Sequence, residues 1–270
     1  MKKMKFNRFA ARSVKAGLVV AALVVASGAF ACTVTNWEID GGAVTAGVEA
    51  GGPESSTPVD IPRYSGVCAM RTPANPAQAE YVQNGSPNGL DRIRARFYVF
   101  ASNGSDAVVY VGFDETSNPV FSVTLDQSEP EVDFTALGTT VSAPYNPDKW
   151  NSIEIDWNAG AGVVELIVNG SSDIQSPGVS SETVDFVRLG NLTPVADQML
   201  FDAYESRRTT AIGRLIVADA NGDGTVNSQD IAIMVNELLD TSFAKGQVDC
   251  NEDGAVNSQD LACIVNVLLN

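Results

Sequence analysis

The sequence contains no histidine among its 270 residues. This absence excludes catalytic triads that depend on His, zinc sites with His ligands and His general bases, which leaves carboxylates as the common acid–base groups. Basic residues are also scarce, with 17 Lys and Arg against 33 Asp and Glu and a net charge of −16. Such a charge disfavours nucleic acid and anionic membrane surfaces as partners and favours cations.

Long apolar runs are absent except near the N-terminus. There, six basic residues precede an apolar run at 16–25, and the small-x-small motif Ala29-Phe30-Ala31 follows it. This order is typical of a secretory signal peptide, so we predict that residues 1–31 are removed on export. The mature chain would keep 11 basic against 33 acidic residues, a net charge of −22, and no membrane-spanning segment. Because Cys32 would then come first, a lipoprotein is the alternative to a soluble secreted protein, although Ala29 replaces the usual Leu of lipoprotein sites.

One twelve-residue pattern occurs twice near the C-terminus. Each copy has Asp or Asn at loop positions 1, 3, 5, 9 and 12 and Gly at position 6, the spacing with which a short loop surrounds Ca²⁺. The side chain at position 7 can vary, since this position contributes its backbone carbonyl. The pattern therefore predicts two Ca²⁺ sites, whereas a single copy could be a mere Asn/Asp/Gly-rich turn. The predicted ligands are Asp219, Asn221, Asp223, Thr225, Asn227 and Asp230 in the first loop and Asp249, Asn251, Asp253, Ala255, Asn257 and Asp260 in the second.

An amphipathic helix is predicted directly after each loop. Apolar residues recur there at i, i+3, i+4 and i+7, so each helix has one apolar face, and the other helix is the expected partner for it. No comparable helix precedes either loop. The apolar positions are Ile231, Met234, Val235 and Leu238 in the first copy and Leu261, Ile264, Val265 and Leu268 in the second.

The duplicated loop with only an exiting helix resembles the type I dockerin, over residues 215–270. The resemblance implies calcium binding and a cohesin-type or other surface scaffold as partner. It also implies that loop positions 10 and 11 and two positions on the next helix face the partner. These residues are Ser228, Gln229, Val235 and Asn236 in the first copy and Ser258, Gln259, Val265 and Asn266 in the second. Because the two sets are identical, we hypothesise docking in two orientations; alternatively, Ser-Gln is a solvated helical turn and the valines are core.

Four cysteines in an exported protein favour disulfides, with three connectivities. Cys250 and Cys263 stand where the first copy has Ala220 and Ile233, and their joint appearance suggests a bond between them. Cys32 would then pair with Cys68. The alternative is buried or free thiols.

Residues 32–214 show the pattern of an antiparallel β-sandwich. Runs rich in Val, Ile, Phe and Tyr at 93–101, 107–113, 120–125, 152–157, 163–168, 183–189 and 199–205 are separated by turn dipeptides such as Asn169-Gly170. Residues 41–89 are predicted to form long loops with one or two edge strands. The hairpin-like stretch 150–170 resembles the concanavalin A-like jelly roll of lectins, laminin-G-like modules and glucanases.

The same stretch contains the weak catalytic candidates Glu154 and Asp156. One glucanase group of this fold uses Glu-x-Asp-x-x-Glu on a strand, whose carboxylates face one way, but here Ala159 takes the place of the last Glu. A polar strand face opposite Ile153, Ile155 and Trp157 is the favoured interpretation.

The sequence thus predicts a mainly β, secreted, calcium-binding protein with three segments: a signal peptide at 1–31, a jelly-roll sandwich at 32–214 and a dockerin-like helical module at 215–270. We expect the module to tether a glycan-binding sandwich to its partner. The alternatives are a polysaccharide hydrolase or lyase delivered by the dockerin, and a structural protein with an internal calcium clamp.

Overall fold

A computed structural model describes residues 47–52, 61–102, 104–195, 197–239 and 241–270. The predicted signal peptide, its cleavage site and Cys32 lie outside the described residues. Within them, neither helix combines the length and the apolar character that crossing a membrane requires.

The chain between residues 49 and 207 forms two antiparallel sheets, and two helices follow. The seven-stranded sheet has the order β1-β2-β13-β4-β9-β10-β11, and the six-stranded sheet has the order β3-β12-β5-β6-β7-β8. The elements are β1 (Glu49–Gly51), β2 (Ala69–Thr72), β3 (Glu80–Asn84), β4 (Arg92–Ala101), β5 (Ala107–Phe113), β6 (Pro119–Asp126), β7 (Glu131–Ala136), β8 (Thr139–Pro144), β9 (Trp150–Asn158), β10 (Val163–Val168), β11 (Ser171–Gln175), β12 (Phe186–Asn191), β13 (Met199–Arg207), α1 (Ser228–Leu238) and α2 (Ser258–Leu269).

The main core lies between the two sheets. Inward-facing side chains alternate with outward-facing ones along the strands, so that Phe97, Phe121, Phe134 and Trp157 share one buried cluster. The β10–β11 hairpin turns at Asn169-Gly170, where Asn169 has a φ of 52°, the left-handed conformation that Asn tolerates in tight turns. This architecture is the predicted jelly-roll sandwich.

Each of the seven predicted strand segments coincides with all or part of a strand. The prediction missed β7 and β8, which pair with each other and extend the six-stranded sheet, and β11, which pairs with β10 at the edge of the seven-stranded sheet. It also underestimated the number of strands in the segment 41–89. Part of this segment lies outside the described residues, and part of it forms β1, β2 and β3.

A second apolar cluster covers the outer face of the seven-stranded sheet. Tyr64 stacks on Tyr98 with ring centroids 3.9 Å apart, and Trp150 and Leu200 complete the buried layer. Leu215, at the start of the C-terminal module, packs against it. The cluster therefore attaches the C-terminal module to the sandwich.

The third cluster is the core of the C-terminal module. Met234 of α1 and Ile264 of α2 are buried together with Ala218, Ala220 and Cys250. Three of the four predicted stripe positions of each helix belong to this cluster, whereas Val235 and Val265 do not.

Candidate functional site

The first loop folds around the carboxylate of Asp219, at loop position 1. Its Oδ1 accepts hydrogen bonds from the backbone N–H groups of Gly222 at 2.9 Å and Asp223 at 3.1 Å, and its Oδ2 accepts one from Gly224 at 2.9 Å. Gly224 has a φ of 86°, a left-handed conformation in which glycine avoids the cost of a Cβ. A carboxylate has about four acceptor positions, so Asp219 can still face a cation.

The second loop repeats this arrangement. Oδ1 of Asp249 accepts from the backbone of Asp253 at 3.1 Å, and its Oδ2 accepts from Gly254 at 2.7 Å. At position 3, the side-chain oxygens of Asn221 and Asn251 each accept from the backbone two residues later, at 2.8 and 3.0 Å. The sequence duplication is therefore a duplication of backbone geometry.

The residues at positions 9 and 12 also cap the following helices. Oδ1 of Asn227 accepts from the backbone of Gln229 at 2.8 Å, and Oδ2 of Asp230 accepts from the backbone of Asn227 at 2.8 Å. Asn257 and Asp260 form the same capping box at α2. The cap therefore holds the position-12 carboxylate against the loop, and Oδ1 of Asp230 also accepts from the backbone of Asn221 at 3.1 Å.

The carboxylates of Asp249 and Asp260 in the second loop are buried and lie close enough to repel one another. Burial, together with the neighbouring Asp260 and Asp253, raises the pKa of Asp249 to about 7. Burial is also the largest cause of the raised pKa of Asp260. A cation between these oxygens would relieve both the burial of charge and the mutual repulsion, so the donor chemistry fits a hard divalent ion.

Neither loop is a cluster of acidic side chains alone. Among the described residues, no group of three or more His, Cys, Asp or Glu side chains has a metal-binding arrangement. The predicted rings instead alternate Asp with Asn and include the backbone carbonyl of Thr225 or Ala255, as calcium loops do.

The predicted partner-facing residues lie on the surface of the module. The side chains of Ser228, Gln229 and Asn236 are exposed, as are those of Ser258, Gln259 and Asn266. Val235 is 36% exposed and Val265 is half-buried, and neither belongs to the buried core of the module. The structure thus disfavours the interpretation of these valines as core residues.

A disulfide joins Cys250, at position 2 of the second loop, to Cys263 in α2, with Cα atoms 5.9 Å apart. It ties this loop to its own helix. Cys68 is also disulfide-bonded. Its predicted partner, Cys32, lies outside the described residues.

The catalytic candidates Glu154 and Asp156 form structural hydrogen bonds and ion pairs. Glu154 accepts hydrogen bonds from the backbone N–H groups of Ile212 and Gly213, both at 2.8 Å, and Asp156 forms ion pairs with Arg92 and Arg94. Both carboxylates are buried on the face of β9 opposite the main core. Their acceptor positions are directed to structural partners, which supports the interpretation as a polar strand face.

The second loop is docked against the sandwich, and this contact was not predicted. The backbone carbonyl of Asn251 accepts from Lys149 Nζ at 3.0 Å, and that of Glu252 accepts from the backbone of Trp150 at 3.1 Å. The Glu252 carboxylate accepts from Arg214 at 2.7 Å. Residues 222–225 of the first loop are exposed instead.

A buried ion pair reinforces the same boundary. Arg63, in the segment before β2, pairs with Glu237 of α1, and both side chains are almost fully buried. The other oxygen of Glu237 accepts from the backbone of Ala244 at 2.6 Å. The module is thus fixed to the sandwich through both its first helix and its second loop.

One sequence difference between the two calcium loops could have indicated the contact between the second loop and the sandwich. Position 4 is Gly222 in the first loop and Glu252 in the second, and both have left-handed backbones, with φ of 72° and 61°. A non-glycine residue there costs about 1–2 kcal/mol. The contacts of the Glu252 carboxylate with Arg214 and with the hydroxyl of Tyr64 offset that strain.

Three solved structures are similar to the chain at low sequence identity. The cellulose induced protein Cip1 has 14% identity and a TM-score of 0.46, with coverage of 64% of this chain and 88% of that one. The Trypanosoma rangeli sialidase in complex with sialic acid has 8% identity and a TM-score of 0.45, with coverage of 63% and 28%. The VIP36 exoplasmic/lumenal domain in its Ca²⁺-bound form has 10% identity and a TM-score of 0.41, with coverage of 63% and 86%. No curated protein matches the chain.

The C-terminal module matches a protein-family model. The match is to the dockerin type I domain and extends over residues 217–269, which includes both loops and both helices. Domains of this family bind calcium and dock to cohesins. Residues 217–269 are therefore a type I dockerin domain, joined to a jelly-roll sandwich.

Proposed function

We propose that this protein is a secreted modular protein whose dockerin binds two Ca²⁺ ions and tethers a glycan-binding sandwich to a cohesin-type partner. The observation that carries the proposal is the repeated loop geometry, in which the carboxylates of Asp219 and Asp249 accept matching backbone hydrogen bonds from Gly224 and Gly254 within the dockerin match. The proposed chain order is a signal peptide at 1–31, the sandwich at 32–214 and the dockerin at 215–270.

The twelve residues predicted from loop positions 1, 3, 5, 7, 9 and 12 would hold the two ions. In each loop, three Asp carboxylates supply the charge, two Asn side chains supply neutral oxygens, and position 7 supplies its backbone carbonyl. The bound ions would neutralise the buried carboxylates and fix the start of each helix. Calcium binding would therefore contribute directly to the folding of the dockerin.

The two Ser-Gln-Val-Asn sets are the proposed docking surface. Both sets begin in the exposed first turn of a capped helix, so either could face a partner. Replacement of Ser228 and Gln229 by Ala should reduce cohesin affinity only a few-fold if the second set can substitute. The matched change at Ser258 and Gln259 should behave in the same way, and the combination of all four changes should abolish binding.

The direct test is surface plasmon resonance of the mature chain against immobilised type I cohesins, in millimolar Ca²⁺ and in excess chelator. Calcium-dependent binding supports the tether. Complete loss of binding in either double variant would remove the two-orientation hypothesis while leaving the tether intact. Absence of binding to every cohesin would contradict the tether itself.

The boundary contacts favour a second candidate function, an internal calcium clamp without an external partner. The second loop contacts Lys149, Trp150 and Arg214, so calcium there could hold the two units together. A clamp predicts that chelation lowers the melting temperature of the sandwich although no cohesin is bound. The tether by itself predicts a sandwich transition that chelation leaves unchanged.

A further inference from the structure

A cleft lies between the sandwich and the first calcium loop. Its volume is 360 Å³, within the range of about 300–1,000 Å³ that small-molecule sites occupy. Asp219, Gly222 and Gly224 of the first loop form part of its wall. The cleft therefore exists only where the two units meet, which is a common position for ligand sites.

The cleft is cationic in a strongly acidic chain. Four basic residues contribute to its lining, Arg96, Arg207, Arg214 and Lys245. The lining contains two acidic residues, Glu205, which pairs with Arg96 and Arg207, and Asp219, which organises the calcium loop; Arg214 pairs with Glu252, which lies outside the lining. Within the described part of the chain, Lys245 takes part in none of the ion pairs. The charge of the cleft thus suits an anion.

Two arginine groups of the cleft have unused hydrogen-bond donors. The Nε atoms of Arg96 and Arg214 are buried and find no acceptor among the described residues. Arg96 is only 5% exposed, and its other nitrogens donate to the backbone carbonyls of Gly213 and Ala203. A buried donor without an acceptor is costly, and a ligand oxyanion would satisfy it once the side chains that cover these Nε atoms move aside.

The remaining wall is apolar. Ile212, Leu215 and Ile216 line the cleft and are partly or largely exposed. An amphipathic ligand with one carboxylate and a flat apolar face would match both walls. The forked guanidinium group of arginine favours a planar carboxylate, which it can bind through two parallel hydrogen bonds.

We propose that this boundary cleft binds the carboxylate of a uronic acid residue in an acidic polysaccharide. The saccharide part of this assignment rests on the proposed glycan-binding function, whereas the carboxylate part rests on the arginine and lysine residues of the cleft. The sugar ring would lie against Leu215 and Ile216, with its carboxylate among the four basic side chains of the cleft, of which Arg207 and Lys245 are the exposed ones.

The test is ligand-observed NMR titration of the mature chain in millimolar Ca²⁺ with D-glucuronate, D-glucose and acetate. Binding of D-glucuronate should be saturable, and its affinity should be at least about tenfold higher than that of either D-glucose or acetate. The variant Arg207→Gln/Lys245→Gln should lose about tenfold in affinity for D-glucuronate. Both residues have side chains exposed to solvent, so the variant is expected to fold.

Arg188→Gln is the matched control. Arg188 lies on the six-stranded sheet over the rings of Tyr81 and Phe113, away from the cleft, and its replacement should leave the affinity unchanged. Absence of D-glucuronate binding, equal affinity for acetate, or equal losses in the control and in the cleft variant would overturn the proposal.

This design separates the cleft from the proposed function. If D-glucuronate binds and the cleft variant weakens this binding while the mature chain retains no polysaccharide, the carboxylate site stands, and the polysaccharide part of the assignment fails together with the glycan-binding function. If polysaccharides bind equally well to the wild type and the cleft variant, the function stands and the cleft assignment fails.

Discussion

Alanine substitutions at the two equivalent loop glycines test the docking of the second loop. Gly224 and Gly254 have nearly identical φ angles of 86° and 85°, so alanine imposes the same left-handed strain at either position, about 1–2 kcal/mol. A Cβ at Gly224 meets nothing within 4 Å, whereas one at Gly254 would lie 2.7 Å from Cε2 of Phe100. The Phe100 ring cannot retreat freely, because it packs edge-on against buried Trp150 at 5.7 Å.

Gly254→Ala should therefore lower the free energy of unfolding by about 1–3 kcal/mol more than Gly224→Ala, the usual cost of overpacking a close contact. Urea unfolding in millimolar Ca²⁺, followed by tryptophan fluorescence, measures the difference. Since both substitutions occupy position 6 of the same loop pattern, their effects on the calcium geometry should cancel. Equal losses in the two variants would refute the inference that the second loop is held by the sandwich.

Two further outcomes follow from buried charge. Arg63→Ala should cost about 3–5 kcal/mol of unfolding free energy, because Glu237 would remain buried without its partner; Arg207→Ala breaks an exposed pair with Glu205 and should cost less than about 1 kcal/mol in the same urea experiment. Similar losses would contradict the burial argument. Burial raises the pKa of Asp202 to about 6, so the native state retains a proton that the unfolded chain has lost, and stability falls as pH rises from about 4 to 6. Asp202→Asn removes this contribution, so the unfolding free energy of the variant relative to wild type should rise over that interval and level off above it. A difference that stays constant with pH would contradict the assignment.

The C-terminal module was predictable because its signals are local. Ligand spacing, the position-6 glycines and the i, i+3, i+4, i+7 stripes all act within a dozen residues, and Met234 and Ile264 are buried as the stripes predict. The capping role of Asp230 and Asp260 follows from the same short-range pattern.

The strands of the sandwich were predictable where turns and β-branched runs coincide. Strands β7 and β8 were missed because the prediction relied on runs rich in Val, Ile, Phe and Tyr, whereas these strands alternate single apolar residues with polar ones. Strand β11 was missed because it is polar except for Ile174. The sheet order was not predictable, since β13 pairs with β4 and β2 across about a hundred residues of sequence or more. Such long-range pairing depends on the packing of the whole core rather than on local preference.

The contacts between the C-terminal module and the sandwich could not be predicted from the sequence for the same reason. Arg63 and Glu237 are 174 positions apart, and neither residue type indicates a buried pair. Only Glu252, which replaces glycine at a left-handed position, indicated that the second copy has a role that the first lacks. The charged cleft beside the first calcium loop likewise arises from residues of four separate segments.

The most direct test of the account is the calcium stoichiometry of the mature chain by isothermal titration calorimetry. The two loops predict two Ca²⁺ ions per chain, one ion in either Asp219→Ala or Asp249→Ala, and none in the double variant. Absence of calcium binding in the wild type, or an unchanged stoichiometry in the double variant, would contradict the assignment of these loops as the calcium sites.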